Sequence, residues 1–438
     1  MNVNLADIIP NRAKKYIAPY YWVYQSYRAD REYNDPDISM DRRETDHDHI
    51  LLIVVDALRG DHIPDLPLDF TTGVAAGTWT FPSVTSMHTG ERPSTHKATA
   101  HTMPGDDVYA MPQQTDSDSI LTKYLDASGF HTYAGCAFPT PFLALRGWYQ
   151  SHRVYDDAPA EVVINDYRQW RRSRSTTFSY LHLGDLHAPV DPPNEYIQKY
   201  DVDLSLPDLP NIGYYNNNYS PENSDCIDYR ENKLQLYQAA LDYVSDQLRP
   251  LIQDISENTQ IFLVGDHGES LWEYAELDQA MSDSRPNYCL GHGGTPFDSL
   301  ARVPIGTSEL APTPNGGWPS TRDLASTIVN SNVKAQIEHP GRDWHREIPR
   351  ERSVICESTR YGPERKAIYR DNLKLIKSVA DGVTLTAKVS DCGETFEDMS
   401  EETVTSLERS LPDEWDGAEE VGHTSNIVKD RLENLGYK

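Results

Sequence analysis

Three short apolar runs, each closing on an aspartate, set the frame for this chain. HILLIVVD (49–56), TTFSYLHLGD (176–185) and TQIFLVGD (259–266) are rich in β-branched and aromatic residues. Their lack of strict apolar/polar alternation marks strands buried on both faces, as in a parallel sheet. Residues 234–252 set Tyr237, Ala240, Leu241, Val244, Leu248, Leu251 and Ile252 on one helical face and run straight into the third strand. Ile120, Leu121, Tyr124 and Leu125 predict a helix over 118–128, stopped by Gly129 and followed by a strand at FHTYAG. Alternating helices and apolar strands make an α/β domain with a mostly parallel sheet. Ligands of such sheets bind beyond the carboxyl ends of the strands. Asp56, Asp185 and Asp266 all fall there.

The flanks have a different character. Residues 10–28 predict an aromatic amphipathic helix that docks on the main body, and 28–47 are a charged, Pro-interrupted linker. APTPNGGWPST (311–321) breaks the pattern again. RSVICES, KAIYR, LKLIKS and LTAKVS then read as short strands, the last three separated by Arg370-Asp371-Asn372 and Asp381-Gly382, which predicts a small antiparallel sheet. An acidic helix near 400–410 and a polar tail follow. The expected organisation is therefore an N-terminal helix and linker (1–48), a catalytic α/β domain (49–310) and a smaller C-terminal subdomain with an acidic tail (311–438).

Charge narrows the function. Acids outnumber bases 68 to 40, for a net charge of −28. Nucleic-acid binding, which needs a basic face, is excluded on that balance, as is docking on an anionic membrane through basic residues. The cations are 13 Lys and 27 Arg. Few Lys, dense carboxylates and modest apolar content point to a protein adapted to high salt, where repulsion is screened within a few ångströms. Cys136, Cys226, Cys289, Cys356 and Cys392 are odd in number with no C-x-x-C spacing. They suit a reducing cytoplasm better than a disulfide framework or thiolate metal site. The N-terminus lacks an uninterrupted apolar signal region, and no apolar run is long enough to span a bilayer.

The chemistry concentrates at TFPSVTSMHTGERPSTHK (80–97). Pro82 reads as a helix start and Gly90 as its stop. Thr80 then sits at the helix N-terminus, either as a cap or as a hydroxyl where free N–H groups favour phosphate or sulfate. GDLHAP (184–189), GDHGE (265–269) and GHG (291–293) follow in order. This arrangement resembles the sulfatase branch of the alkaline phosphatase superfamily. The sulfatase signature C-x-P-S-R-x-x-L-x-T-G-x-x-P-x-x-H-G overlays Thr80–Lys97 without a gap, matching at Pro82, Ser83, Thr89, Gly90, Pro93 and His96. The resemblance runs from about His49 through RVPI (302–305), and more weakly over KAIYRDNLKLIK (366–377). It implies an αβα sandwich with a mostly parallel central sheet and a smaller C-terminal antiparallel sheet.

Departures from that pattern steer the expected chemistry. Sulfatases require Cys or Ser at position 80 for conversion to formylglycine, and Thr cannot supply that aldehyde. The signature Arg is Val84 here, and the family's paired acids at the first strand end are Asp56-Ala57. A Thr nucleophile with Asp-His after a late strand resembles the phosphodiesterase and phosphotransferase branches. The expectation is thus a metal-dependent hydrolase or group transferase acting on phosphoesters, small or carbohydrate-linked. Its alternatives are a sulfuric ester hydrolase working without formylglycine and a non-catalytic binding protein that retains the fold. Asp56, Thr80, Asp266 and His267 would hold one divalent cation, and the mixed O/N set suits Zn or Mn over Mg or Ca. His187 and His292 would contact the transferred group, or join Asp185 in a second metal site. His88, His96 and His101 read as structural. Arg59 and Arg92 are candidate anion contacts or surface salt bridges. The stretches 100–117, 138–175 and 190–232 would form the specificity loops, and they contain no interpretable motif.

Overall fold

The main sheet is built, in chain order, from β1 (His49–Val55), β2 (Asp69–Val74), β3 (His131–Cys136), β4 (Ser151–Val154), β5 (Thr177–Leu183) and β6 (Thr259–Gly265). After a short ribbon, β7 (Ser270–Leu271) and β8 (Leu290–Gly291), it is completed by β9 (Arg302–Thr307). Their spatial order is β2-β9-β6-β1-β5-β3-β4. The run from β6 to β4 is parallel, and β9 and β2 close one edge antiparallel. β1, β5 and β6 are buried at every residue, as their unbroken apolar character predicts. This computed structural model describes residues 11–103, 111–115, 117, 119–211, 224–285, 288–309, 311–312, 317–334 and 339–415. The specificity-loop segments 104–110 and 212–223, part of the 311–321 break, and the tail beyond 415 lie outside the described residues.

The register of the three central strands matters most for function. Val55 pairs with Leu183 on one side and with Gly265 on the other. Asp56, Gly184 and Asp266, the next residues, therefore emerge at one level of the sheet. The helix expected over 234–252 is longer, Ser224–Ile255, and lays Leu241, Val244, Leu248 and Leu251 on the core of the sheet. The helix expected over 118–128 is Leu121–Ala127, with Asp118 outside the described residues. The N-terminal helix spans Asn11–Glu32 and docks through Ala18, Trp22 and Ala29, with Trp22 Nε1 donating to Asp156 at 3.1 Å. No described helix is long and apolar enough to cross a membrane.

The C-terminal sheet has five antiparallel strands, β10 (Val354–Cys356), β11 (Arg365–Arg370), β12 (Leu373–Ser378), β13 (Val383–Ser390) and β14 (Gly393–Phe396). Its inner face, including Tyr369 and Ile376, packs with Trp272, Phe297 and Ala301 of the preceding loops. The helix expected near 400–410 is Glu401–Glu408, capped by the Ser400 side chain. Leu324, Ile328, Val329 and Trp344 belong to the core of the main sheet.

Candidate active site

The helix that carries Thr80 runs from Thr80 to Thr89 and ends at Gly90 in the left-handed region, φ 70°. Its start falls two residues before the expected one. Pro82 is its third residue, still within the first turn, where a missing N–H costs no helical bond. Trp79 occupies the cap position without a side-chain cap bond. The Thr80 hydroxyl is thus not the cap. Its Oγ1 donates to Asp56 Oδ2 at 3.1 Å and lies 3.3 Å from His267 Nε2. All three residues are fully buried.

Asp56, Asp266 and His267 form the single group of three metal-ligating side chains among the described residues, with donor atoms within 4.8 Å of one another. Their remaining bonds show how they are aimed. Asp56 Oδ2 accepts from Thr80 and from His182 Nε2 at 2.9 Å. Asp266 Oδ1 accepts from the main-chain N–H groups of Ala57 at 3.2 Å and His267 at 2.9 Å. Ala57, held at φ 58°, is the turn that delivers its N–H there. Asp56 Oδ1 and Asp266 Oδ2 are buried without hydrogen-bond partners, 3.7 and 3.4 Å from His267 Nε2. His267 Nδ1 lies 2.8 Å from the Gly268 carbonyl, an acceptor, so this nitrogen carries the proton and leaves Nε2 as a donor of electrons. Burial and the Asp56 charge push Asp266 up to about 6. Burial disfavours the His267 cation, but Asp266 and Asp56 outweigh it and raise that imidazole. Two orphaned carboxylate oxygens and one imidazole nitrogen calling for positive charge fit a divalent cation.

Beside this cluster stand further imidazoles. His267 and His292 have ring centroids 4.7 Å apart, and His292 and His187 are 4.9 Å apart. His187 Nδ1 lies 2.6 Å from the Ala188 carbonyl, and His292 Nδ1 lies 2.9 Å from Glu269 Oε2. Both histidines are buried. Burial lowers His187 to about 4 and holds His292 well below its usual range, where His267 and Arg285 add to the effect.

Asp185 does not join them. Register aligns Asp56 with Gly184, and Asp185 lies one residue further on. Its Oδ1 instead accepts from the N–H of Ala160, at the start of the Ala160–Arg171 helix, at 3.2 Å. A group of Asp185, His187 and His292 is therefore not formed among the described residues. Arg59 is no anion contact either. Its buried guanidinium is spent on Asp61 and Glu273 at 2.7–2.9 Å and on the Glu269 carbonyl at 2.8 Å. Arg92 occupies the N-cap position of the short Pro93–His96 helix, with no side-chain cap bond. His88 and His96 are internally bonded, to Val84 O and Tyr149 and to Ser86, and His101 Nε2 lies 3.3 Å from Glu364.

Two residues escaped the sequence reading. His182 reaches Asp56 from β5 and takes a bond from the Tyr180 hydroxyl at 2.6 Å through Nδ1. Glu269 orients His292. His182 carried a signal: it is the one imidazole inside the buried strand TFSYLHL, two residues before the glycine aligned with Asp56.

A sequence profile described as Sulfatase matches residues 61–328, more than half of the chain. The chain belongs to the sulfatase family. No curated protein matches it by sequence. Its fold is similar to the phosphonate monoester hydrolase SpPMH from Silicibacter pomeroyi, at 15% identity over 83% of this chain and 93% of that one, TM-score 0.57. It is also similar to BT1596, a 2-O GAG sulfatase, at 10% identity over 89% and 93%, TM-score 0.55. Ps i-CgsB matches at 18% identity over 82% and 90%, TM-score 0.54. The resemblance implied by the signature and the mostly parallel sheet with its C-terminal antiparallel companion are thereby established. Membership of that family makes this chain an enzyme of the sulfatase superfamily.

Proposed function

We propose that this sulfatase-family protein hydrolyses or transfers phosphoester groups through Thr80. The observation that carries the reading is the Thr80 hydroxyl, buried at a helix N-terminus and hydrogen-bonded to Asp56 beside the Asp266–His267 pair. Asp56, Asp266 and His267 would hold a divalent cation, Zn or Mn by the mixed donor set, which would supply a Lewis acid beside the Thr80 hydroxyl.

The residues of the chain account for the rest. The Thr80 proton leaves along its bond to Asp56 Oδ2, and Oγ1 attacks phosphorus as the ester oxygen departs. The helix N–H groups face the anionic group that is attacked. The departing alkoxide takes a proton from water. His187 and His292 are kept neutral by burial, and their Nδ1–H groups donate hydrogen bonds to Ala188 O and Glu269. Each therefore retains Nε2 as a base for the water or alcohol that relieves Thr80 of its phosphoryl group.

The family membership favours a second reading, a sulfuric ester. Against it stand Thr80, which cannot become formylglycine, and Val84, which offers no cation beside it. Turnover of p-nitrophenyl phosphate, bis-p-nitrophenyl phosphate and p-nitrophenyl sulfate with Zn or Mn supplied separates the two. Faster turnover of either phosphate than of the sulfate is expected. Turnover of the sulfate alone transfers the assignment to sulfate esters, and no turnover of any supports a binding protein.

A further inference from the structure

Away from the reactive end of the Thr80–Thr89 helix lies a second site. Gly90 terminates that helix roughly 15 Å along the axis from Thr80. Against Gly90 packs His339, which lines an open cavity of about 850 Å3. Four arginines, Arg43, Arg342, Arg346 and Arg352, line this cavity with one acid, Asp343. In a chain of net charge −28, that local excess of cations runs against the whole surface.

The arginines differ in how their charge is met. Arg352 is neutralised by a two-pronged bond to Asp323 at 2.6 and 2.7 Å. Arg346 lies 3.8 Å from Asp343. Among the described residues, the guanidinium groups of Arg43 and Arg342 bond to main-chain carbonyls, while the Arg342 N–H donates to Asp323 Oδ1 at 2.8 Å. Arg43 Nε donates to Val333 O at 2.9 Å, and Arg342 Nε and Nη2 donate to Glu347 O at 2.8 and 2.5 Å. Behind the wall Arg322 does the same, donating to Gly90 O at 2.9 Å and Pro340 O at 2.8 Å. Carbonyl dipoles fix these guanidinium groups without cancelling their charge, and among the described residues no carboxylate forms an ion pair with any of the three. The volume falls in the range of small-molecule sites, and fixed guanidinium groups match tetrahedral oxyanions.

We propose that this cavity binds a small molecule bearing at least two phosphate or sulfate groups, with Arg43 and Arg342 as its principal contacts. The site is separate from the Thr80 centre and does not depend on what that centre hydrolyses. Calorimetric titration at low ionic strength tests it, with inorganic pyrophosphate in one arm and a disulfated disaccharide in the other. Binding of either by the wild-type protein is expected, and the arm that binds identifies the source of the oxyanions. The R43A/R342A variant should weaken it at least about tenfold, the loss of charge-assisted hydrogen bonds. R346E, a change at a side chain that is 70% exposed, should weaken it as well. H267A, altered at the other centre, should bind as the wild type does. Absence of binding in both arms, unchanged binding by both arginine variants, or loss of binding in H267A would overturn the assignment.

Discussion

Thr80 and His182 meet on the same oxygen: both donate to Asp56 Oδ2, at 3.1 and 2.9 Å. Because that oxygen is occupied twice, the other, Oδ1, is the one turned toward His267 Nε2. His182 thus acts as a positioning residue. His182→Ala should lower metal affinity and turnover about 10- to 100-fold, the range seen when an outer partner of a ligand is lost. His182→Gln, which keeps a donor, should recover part of the metal retention. Metal content after dialysis reads this directly; equal retention in wild type and the Ala variant would deny His182 that role.

Asp266→Asn and His267→Ala strike the ligand group itself. Each removes one of three converging donor atoms, so bound metal should fall below stoichiometric and turnover by at least about 100-fold. The fold should survive, since both lie beyond the end of β6. Elemental analysis beside circular dichroism checks both halves of the expectation.

The sheet, the helix behind β6 and the convergence of Asp56 with Asp266 were legible because continuous apolar runs fix buried strands, and buried strands fix register. The same register explains the failure at Asp185. Its motif sits at a strand end like the others, but one residue beyond the glycine that pairs in level with Asp56. Parity along β5 would have promoted His182 in its place. Arg59 follows its salt-bridge alternative, but buried rather than on the surface, because its partner Glu273 is remote in sequence and only the fold brings the two together. The arginine cavity was invisible because Arg43 and Arg342 are held by carbonyls, which any residue supplies.

Glu364 supplies a pH test remote from the metal ligands. Burial and the neighbouring Glu357 raise its carboxyl to about 8, with Lys366 opposing and His101 3.3 Å away. The folded protein therefore binds a proton here that the unfolded chain has already released above pH 4.5. Stability from this group is present at low pH and is lost as pH rises through about 8. Glu364→Gln should flatten that decline, with Tm rising relative to wild type at pH 9 and changing least at pH 5. Parallel Tm-against-pH curves for the two proteins would count against it.

The acidic excess predicts a salt response. Dense carboxylates repel one another in dilute buffer, and molar KCl screens them within about 3 Å. Tm and activity should both rise between the two conditions, as followed by scanning fluorimetry and a p-nitrophenyl ester assay. Unfolding on addition of KCl would oppose high-salt adaptation.

Thr80 carries the decisive substitutions. If its oxygen forms the covalent bond to phosphorus, Thr80→Ala should reduce turnover by on the order of a thousandfold. Metal content should hold, because Asp56, Asp266 and His267 keep their donor atoms. Thr80→Ser retains the hydroxyl and loses one methyl, so measurable activity should remain; a purely structural Thr would give no such split between Ala and Ser. Quenching the wild type during turnover and measuring intact mass should reveal a phosphoryl adduct that maps to the 80–97 peptide. The Ala variant should show none. A His187→Ala variant, deficient in the base that activates the incoming water, should accumulate the adduct to a higher level than wild type. That accumulation distinguishes slow release from absent chemistry. Phosphoester turnover by Thr80→Ala at the wild-type rate would remove Thr80 from the reaction, and with it the case for a phosphothreonine intermediate.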